Sequence, residues 1–197
     1  YEIRIGDWSS DVCSSDLPAE YDCLNHRINR IKQAQQRGVR RTPRLWGYAD
    51  NVNCHIAELT ARFISDIAME YNADCVVFEA LELKGKKRGS KKQRLHLWRA
   101  RAVQSIVAGK VHRFGCRVSH VCAWNTSRLA FDGSGRVLRG GESERTCNNY
   151  SLCEFSNGKL YHCDLNASYN IGARYYIREF LKSVTATRRL QLEAKVP

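Results

Sequence analysis

The chain has 197 residues, with 32 Lys or Arg against 20 Asp or Glu and a formal charge of +12. That length suits a single domain, and that charge points to a polyanion partner bound with salt-sensitive affinity, a property shared by ribosomal and chromatin proteins as well as nucleases. With no run of about eighteen apolar residues and no apolar core in the first seventeen, neither a membrane span nor a secretion signal is expected, and the reading is a cytoplasmic protein with no membrane partner.

Pro18 suits a first helical turn, and Leu24, Ile28 and Ile31 form an apolar stripe that Gly38 ends. A basic linker, residues 37–44, leads to a second predicted helix from Asn51 to Tyr71, with Val52, Ile56, Leu59, Phe63, Ile67 and Tyr71 on its apolar face. Residues 73–78 are apolar and rich in β-branched side chains, so they read as a buried strand whose alternation puts Cys75, Val77 and Glu79 on one face. A carboxylate ending such a face is costly unless it meets a cation or a donor; the plainer alternative is that the strand stops there and Glu79 reaches solvent.

A loop follows with seven cations and no acid: Lys84, Lys86, Lys87, Arg88, Lys91, Lys92 and Arg94. Its plain reading is a solvated charged segment. A helix is predicted over 95–114, with stripes Trp98, Ala102, Ile106, Gly109 and Val103, Val107, Val111, Phe114, closed by Gly115. Cys116 to Cys122 alternates like a second strand. After an irregular insert, Asp164 opens a helix with Ala167, Ile171 and Tyr175 in register and Ile177, Phe180 and Leu181 widening the face. Asp is a favoured N-cap, which explains the residue without chemistry; the positive end of a helix also keeps a carboxylate ionised and ready for a metal. The order strand, helix, strand, insert, helix implies an α/β sheet.

Phe78-Glu79, the basic loop, Thr126-Ser127 and the run Asp164-Leu-Asn-Ala-Ser-Tyr-Asn-Ile171 together resemble the C-terminal half of TnpB proteins, the OrfB products of insertion sequences related to type V CRISPR effector nucleases. The likeness covers roughly residues 23–182. It implies a partial RuvC-like domain of the ribonuclease H fold, a transposable-element origin, and an endonuclease that cuts DNA under the direction of a guide RNA. By this resemblance Glu79 matches the second catalytic acid and Asp164 the third. Hard carboxylate oxygens suit Mg2+ (or Mn2+), and two such ions serve both the attacking and the leaving oxygen of a phosphodiester. The loop cations, with Arg128, then read as contacts that position a phosphate backbone without reading its sequence. Trp98 and Trp124 can stack on bases, although Trp98 sits in core register.

The family's first catalytic Asp lies on an early strand, upstream of the segment that matches residue 23 onward. Here residues 9–17, Ser-Ser-Asp-Val-Cys-Ser-Ser-Asp-Leu, resemble one reading frame of a short-read sequencing adapter. The expectation is that residues 1–17 are an artefact or a disordered tail, that Asp7, Asp11 and Asp16 are not catalytic, and that the chain is a fragment inactive as it stands.

The chain has nine cysteines. An odd number argues against a disulfide framework, and Cys54, Cys75, Cys116 and Cys122 fall on predicted apolar faces as small buried hydrophobes. The family insert is a zinc ribbon with two Cys-x-x-Cys pairs, and this chain has none. Cys147, Cys153 and Cys163, with His162, are the remaining zinc candidates; the favoured reading is a degenerate, metal-free β insert, with hairpin signals at residues 131–135 and 156–159. The expected organisation is a helical segment 18–72, a RuvC-like core 73–124, a ribbon-like insert 125–163, a catalytic helix 164–182 and a tail 183–197. Two other functions fit the composition: a basic nucleic-acid-binding protein without catalysis, and a guide-free RuvC-like nuclease.

Overall fold

The computed structural model of the chain describes residues 17–39, 41–81, 99–147, 149 and 151–193. Two compact units divide it: one holds most of the helices, the other holds residues 76–80 together with 119 onward.

In the first unit, Pro18–Gln36 forms α1 and Pro43–Glu70 forms α2, each with proline in its first turn, where the missing N–H costs nothing. Gly38, at φ +82°, follows α1 in the left-handed conformation that side chains resist. Leu24 and Ile31 of α1 are buried with Ala49 and Ile56 of α2, and Ile28 and Val52 lie against them. Ala100–Val111 forms α3, which continues as a 3-10 turn over His112–Phe114 and ends at Gly115, φ +83°. Packing of α2 against both α1 and α3 holds this unit together, and the Arg99 guanidinium bonds the Asp50 carboxylate.

Two expectations fail in α2. It starts at Pro43, because proline at N1 begins the helix inside what reads as a linker. Its buried stripe is Ala49, Asn53, Ile56, Ala57, Thr60, Ala61, Ile64, Ser65 and Ala68, whereas Phe63 and Tyr71 are exposed. Small side chains fill most of the buried stripe beside Ile56 and Ile64, while Phe63 and Tyr71 face outward. Cys54 is likewise exposed. Only part of the helix predicted over 95–114 lies within the described residues.

The second unit holds most of a two-stranded sheet, β1 (Cys75–Ala80) beside β2 (Arg117–Cys122). Burial of β1 is continuous from Val76 to Glu79 rather than alternating, the pattern of a strand covered on both faces. Cys122, placed by the sequence on an apolar face, is exposed. After β2 the insert forms a three-stranded antiparallel sheet of β3 (Leu138–Arg139), β4 (Leu152–Glu154) and β5 (Leu160–His162). Both hairpin signals are realised: Ala130 N–H bonds Gly135 O at 2.8 Å, and Phe155 N–H bonds Lys159 O at 2.9 Å. The insert core is Ala130, Val137, Cys153, Phe155 and Cys163, flanked by Phe131 and Tyr161.

Cys163–Ser183 forms α4, and Ala186–Glu193 forms a further helix, α5, where a tail was expected. The cap of α4 differs from expectation. His162 is the N-cap, its Nδ1 accepting the Asp164 N–H at 3.3 Å, so Asp164 sits inside the first turn. Cys163, Asn166, Ala167, Ser168, Ile171 and Gly172 are buried, while Ile177 and Phe180 are exposed. The apolar face therefore belongs to the first half of α4. Among the described residues no helix is long and apolar enough to cross a membrane.

The α2 packing makes a prediction that reverses the sequence reading. Ala61→Leu overfills a close helix contact and should lower stability by about 1–3 kcal/mol, whereas Phe63→Ala should stay within about 0.5 kcal/mol; urea unfolding measures both. A second prediction concerns pH. The Ser143 hydroxyl first, and then Arg145, hold the Glu154 carboxyl below its ordinary value. A depressed carboxyl contributes stability above its unfolded pKa and loses it as pH falls through the folded value. Glu154→Gln should therefore be less stable than the parent at pH 7 and equal to it in strong acid.

Candidate metal and nucleic-acid site

The site is built on the end of β1. Glu79 is the last buried residue of that strand, at 8% exposure. The Thr126 hydroxyl donates to its Oε1. The strand therefore does not release Glu79 to solvent: the buried carboxylate is met by a donor, as burial of a charge requires.

Thr126 is itself buried, at 2% exposure. It lies in the turn after β2, where Asn125 takes φ +59°, a conformation Asn tolerates better than most residues. Its carbonyl accepts from Asn170 Nδ2 of α4 at 2.8 Å, and the same Nδ2 reaches Leu129 O at 2.6 Å. One turn earlier, Asn166 Nδ2 donates to Leu129 O at 2.8 Å and its Oδ1 accepts the Phe131 N–H at 2.9 Å. One and two turns later, Arg174 donates to Cys122 O at 2.6 Å and Arg178 to His120 O at 2.8 Å. Asn166, Asn170, Arg174 and Arg178 are spaced by four, so they share one stripe of the helix. That stripe bonds the backbone from Phe131 back to His120, one partner after another.

Asp164 stands off this stripe, sharing its face with Ser168 and Ile171, both buried. Its backbone carbonyl accepts the Ser168 hydroxyl at 2.9 Å. His162 Nδ1 lies 3.8 Å from the Asp164 carboxylate. The same nitrogen accepts the Asp164 N–H at the start of the helix. Glu79 and Asp164 thus fall in one compact unit, and the elements that carry them are joined through Thr126 and Asn170. Among the described residues no group of three or more His, Cys, Asp or Glu gathers to hold a metal. The donors on offer are carboxylate oxygens, whose hardness fits Mg2+ or Mn2+.

The zinc candidates do not form a site. Cys147 is exposed and its thiol bonds Glu144 O at 3.1 Å, while Cys153 and Cys163 are buried in the insert core. Cys153 hydrogen-bonds Cys163; that bond first, with the Arg139 guanidinium, lowers the Cys163 thiol to about 7 against the effect of burial, while the same bond pushes the Cys153 thiol up. Lys84, Lys86, Lys87, Arg88, Lys91, Lys92 and Arg94 lie outside the described residues, as does Trp98. Arg128 is exposed two residues beyond Thr126, and Trp124 is exposed.

Sequence reasoning named Thr126 only as half of a pair and gave no role to Asn166, Asn170, Arg174 or Arg178. A signal was present: four polar residues at intervals of four on one stripe of a helix ask for partners.

The chain matches no protein-family model. It is 31% identical over 152 residues to the TnpB-like protein aq_aa05 of Aquifex aeolicus (strain VF5), a match covering 69% of this chain and 47% of that protein. The chain thus spans less than half the length of this relative. Its fold is similar to that of a chain in the cryo-EM structure of a Cas12f1–sgRNA–target DNA complex, with a TM-score of 0.59, 19% identity, and coverage of 80% of this chain and 42% of the other. The chain is distantly homologous to a TnpB-like protein, and it shares a mixed α/β fold with the Cas12f1 chain. Among the described residues nothing in the insert supports a zinc ribbon.

The polar stripe is testable directly. Asn166→Ala leaves the Phe131 N–H without its acceptor, which should cost about 1–3 kcal/mol for that group alone. Thermal unfolding compared with Asn157→Ala, an exposed position on a hairpin turn, measures it.

Proposed function

We propose that this chain is part of an RNA-guided, metal-dependent DNA endonuclease of the TnpB type, carrying Glu79 and Asp164 as two of its divalent-ion ligands. The observation that carries this reading is the buried Glu79 carboxylate, held by Thr126 in a turn that is bound by the helix Asp164 opens. A protein that needed only a strand end there would not retain a buried charge. The likeness to a TnpB-like protein and to the Cas12f1 fold supports the same reading.

Mg2+ or Mn2+, when bound, supplies activation of water and charge stabilisation at the phosphate. The chain supplies the rest. Glu79 and Asp164 present hard oxygens at the end of a strand and the start of a helix, on rigid elements that keep them in place. Arg128, exposed two residues beyond Thr126, is available to a phosphate of the nucleic-acid backbone. Base pairing with guide RNA would carry sequence recognition, leaving the protein to hold shape and charge. Two carboxylates hold an ion without completing a two-metal centre, so the purified chain is expected to bind a cation and leave DNA uncut.

Titration with Mn2+, followed by loss of the free-ion electron paramagnetic resonance signal, tests this. Saturable binding is expected, weakened about tenfold or more in Glu79→Ala and in Asp164→Ala as first ligands are removed. Equal binding by the parent and both variants would refute the metal site and leave a basic nucleic-acid scaffold. Nicking of plasmid DNA by the parent that disappears in Glu79→Ala would show instead that the centre is complete.

A further inference from the structure

We propose that Thr126 is a positioning residue for cation binding at Glu79, and that Asn170 fixes Thr126 for that purpose. The inference rests on the reading of Glu79 as a metal ligand and adds to it the group that orients the ligand.

A glutamate has three side-chain torsions, and a carboxylate free to turn about them loses affinity each time it must be arrested for an ion. In this chain Oε1 of Glu79 is bound by the Thr126 hydroxyl. Because a carboxylate is planar, holding Oε1 also sets the direction of Oε2. The hydroxyl is in turn placed by its surroundings. Thr126 Oγ1 lies 3.1 Å from Ala123 O, three residues earlier, so one proton faces two acceptors. The hydroxyl donates to Glu79 as well as facing that carbonyl, so the carboxylate oxygen is one of its two acceptors. The Thr126 main chain cannot drift, because Asn170 holds its carbonyl at 2.8 Å and the Leu129 carbonyl at 2.6 Å. Asn170 stands midway along a stripe whose other members bond the same stretch of backbone on either side. The path from Glu79 to Thr126 to Asn170 is thus a brace from the strand to the helix that Asp164 opens. Partners of this kind behind a metal ligand typically change affinity by about 10–100-fold when removed.

The test uses the whole chain and Mn2+ alone as probe. Thr126→Val keeps the shape and removes the donor; Thr126→Ser keeps the donor. Mn2+ affinity should fall about tenfold in Thr126→Val and stay within about twofold in Thr126→Ser, the range for loss of an orienting partner against its retention. Rescue by serine separates orientation from packing, since serine loses the methyl group yet keeps the bond. Full affinity in Thr126→Val, alongside loss in Glu79→Ala, would overturn this inference and leave the metal reading standing. Binding insensitive to Glu79→Ala would overturn both. Should Thr126→Val not fold, Asn170→Ala serves in its place: it leaves the hydroxyl and frees the turn, and is expected to weaken Mn2+ about threefold or more as the brace loosens. Unchanged affinity there would count against the proposal.

Discussion

A carboxylate buried at the end of a strand covered on both faces is stable only if donors come to it, and the arrangement of this chain after β2 follows from that requirement. The donor for Glu79 comes from Thr126, 47 residues later. A hydroxyl can meet a buried oxygen at bonding range only if its own backbone is fixed, and the turn's internal bonds, from the Arg128 and Leu129 N–H groups to Asn125 O, leave the Thr126 carbonyl to be held from outside. The helix α4 supplies the missing constraint. Without Asn170 on the Thr126 carbonyl, the turn could relax and the charge would be stranded.

The polar stripe of α4 has a second consequence. Carbonyls two residues apart on a strand point to the same edge, and those of His120 and Cys122 are both taken by arginines from α4. A row of unpaired carbonyls invites association with other chains; here arginine side chains cover two of them. This also assigns Arg174 and Arg178 to the architecture. In a chain with so much positive charge every arginine invites a nucleic-acid reading, and these two are occupied by backbone. Arg128, exposed beyond the same turn, is different.

What the sequence discloses and what it hides divide along the range of the interactions. The helix opened near Asp164, both insert hairpins and the strand ending at Glu79 are written in local pattern: period, turn residues, a run of β-branched side chains. The inward face of α2 is not. Hydrophobicity favours Phe63 and Tyr71 for the core, yet close helix packing rewards Ala57, Ala61 and Ala68, and no local pattern says which criterion wins. The cap of α4 shows the same limit, because aspartate is the better cap by preference and the histidine two residues earlier takes the role by geometry. The partners of Asn166 and Asn170 lie 35 to 44 residues away and are backbone groups, which carry no residue signature at all.

The insert has an apolar core of its own. Zinc holds together short strands that have too little apolar surface to do so alone. Here that surface exists. The Phe131 ring lies 5.7 Å from Phe155, 5.1 Å from Tyr161 and 4.7 Å from Tyr169 on α4. Lys159 lies over two of these rings, 5.4 Å from Phe131 and 4.9 Å from Tyr161. Around this core, Thr146 bonds Gly140 O at 2.8 Å, and Glu154 joins Ser143 and Arg145 to β4. Cys153 and Cys163 belong to the interior of this cluster, where thiols behave as small apolar groups. Because Tyr169 sits on α4 between Asn166 and Asn170, the aromatic core fixes the helix at the level where its asparagines bond the turn. Closing the insert and holding Glu79 are therefore two effects of one helix placement, and a metal ribbon in the same position would have to reproduce that contact to serve the same end.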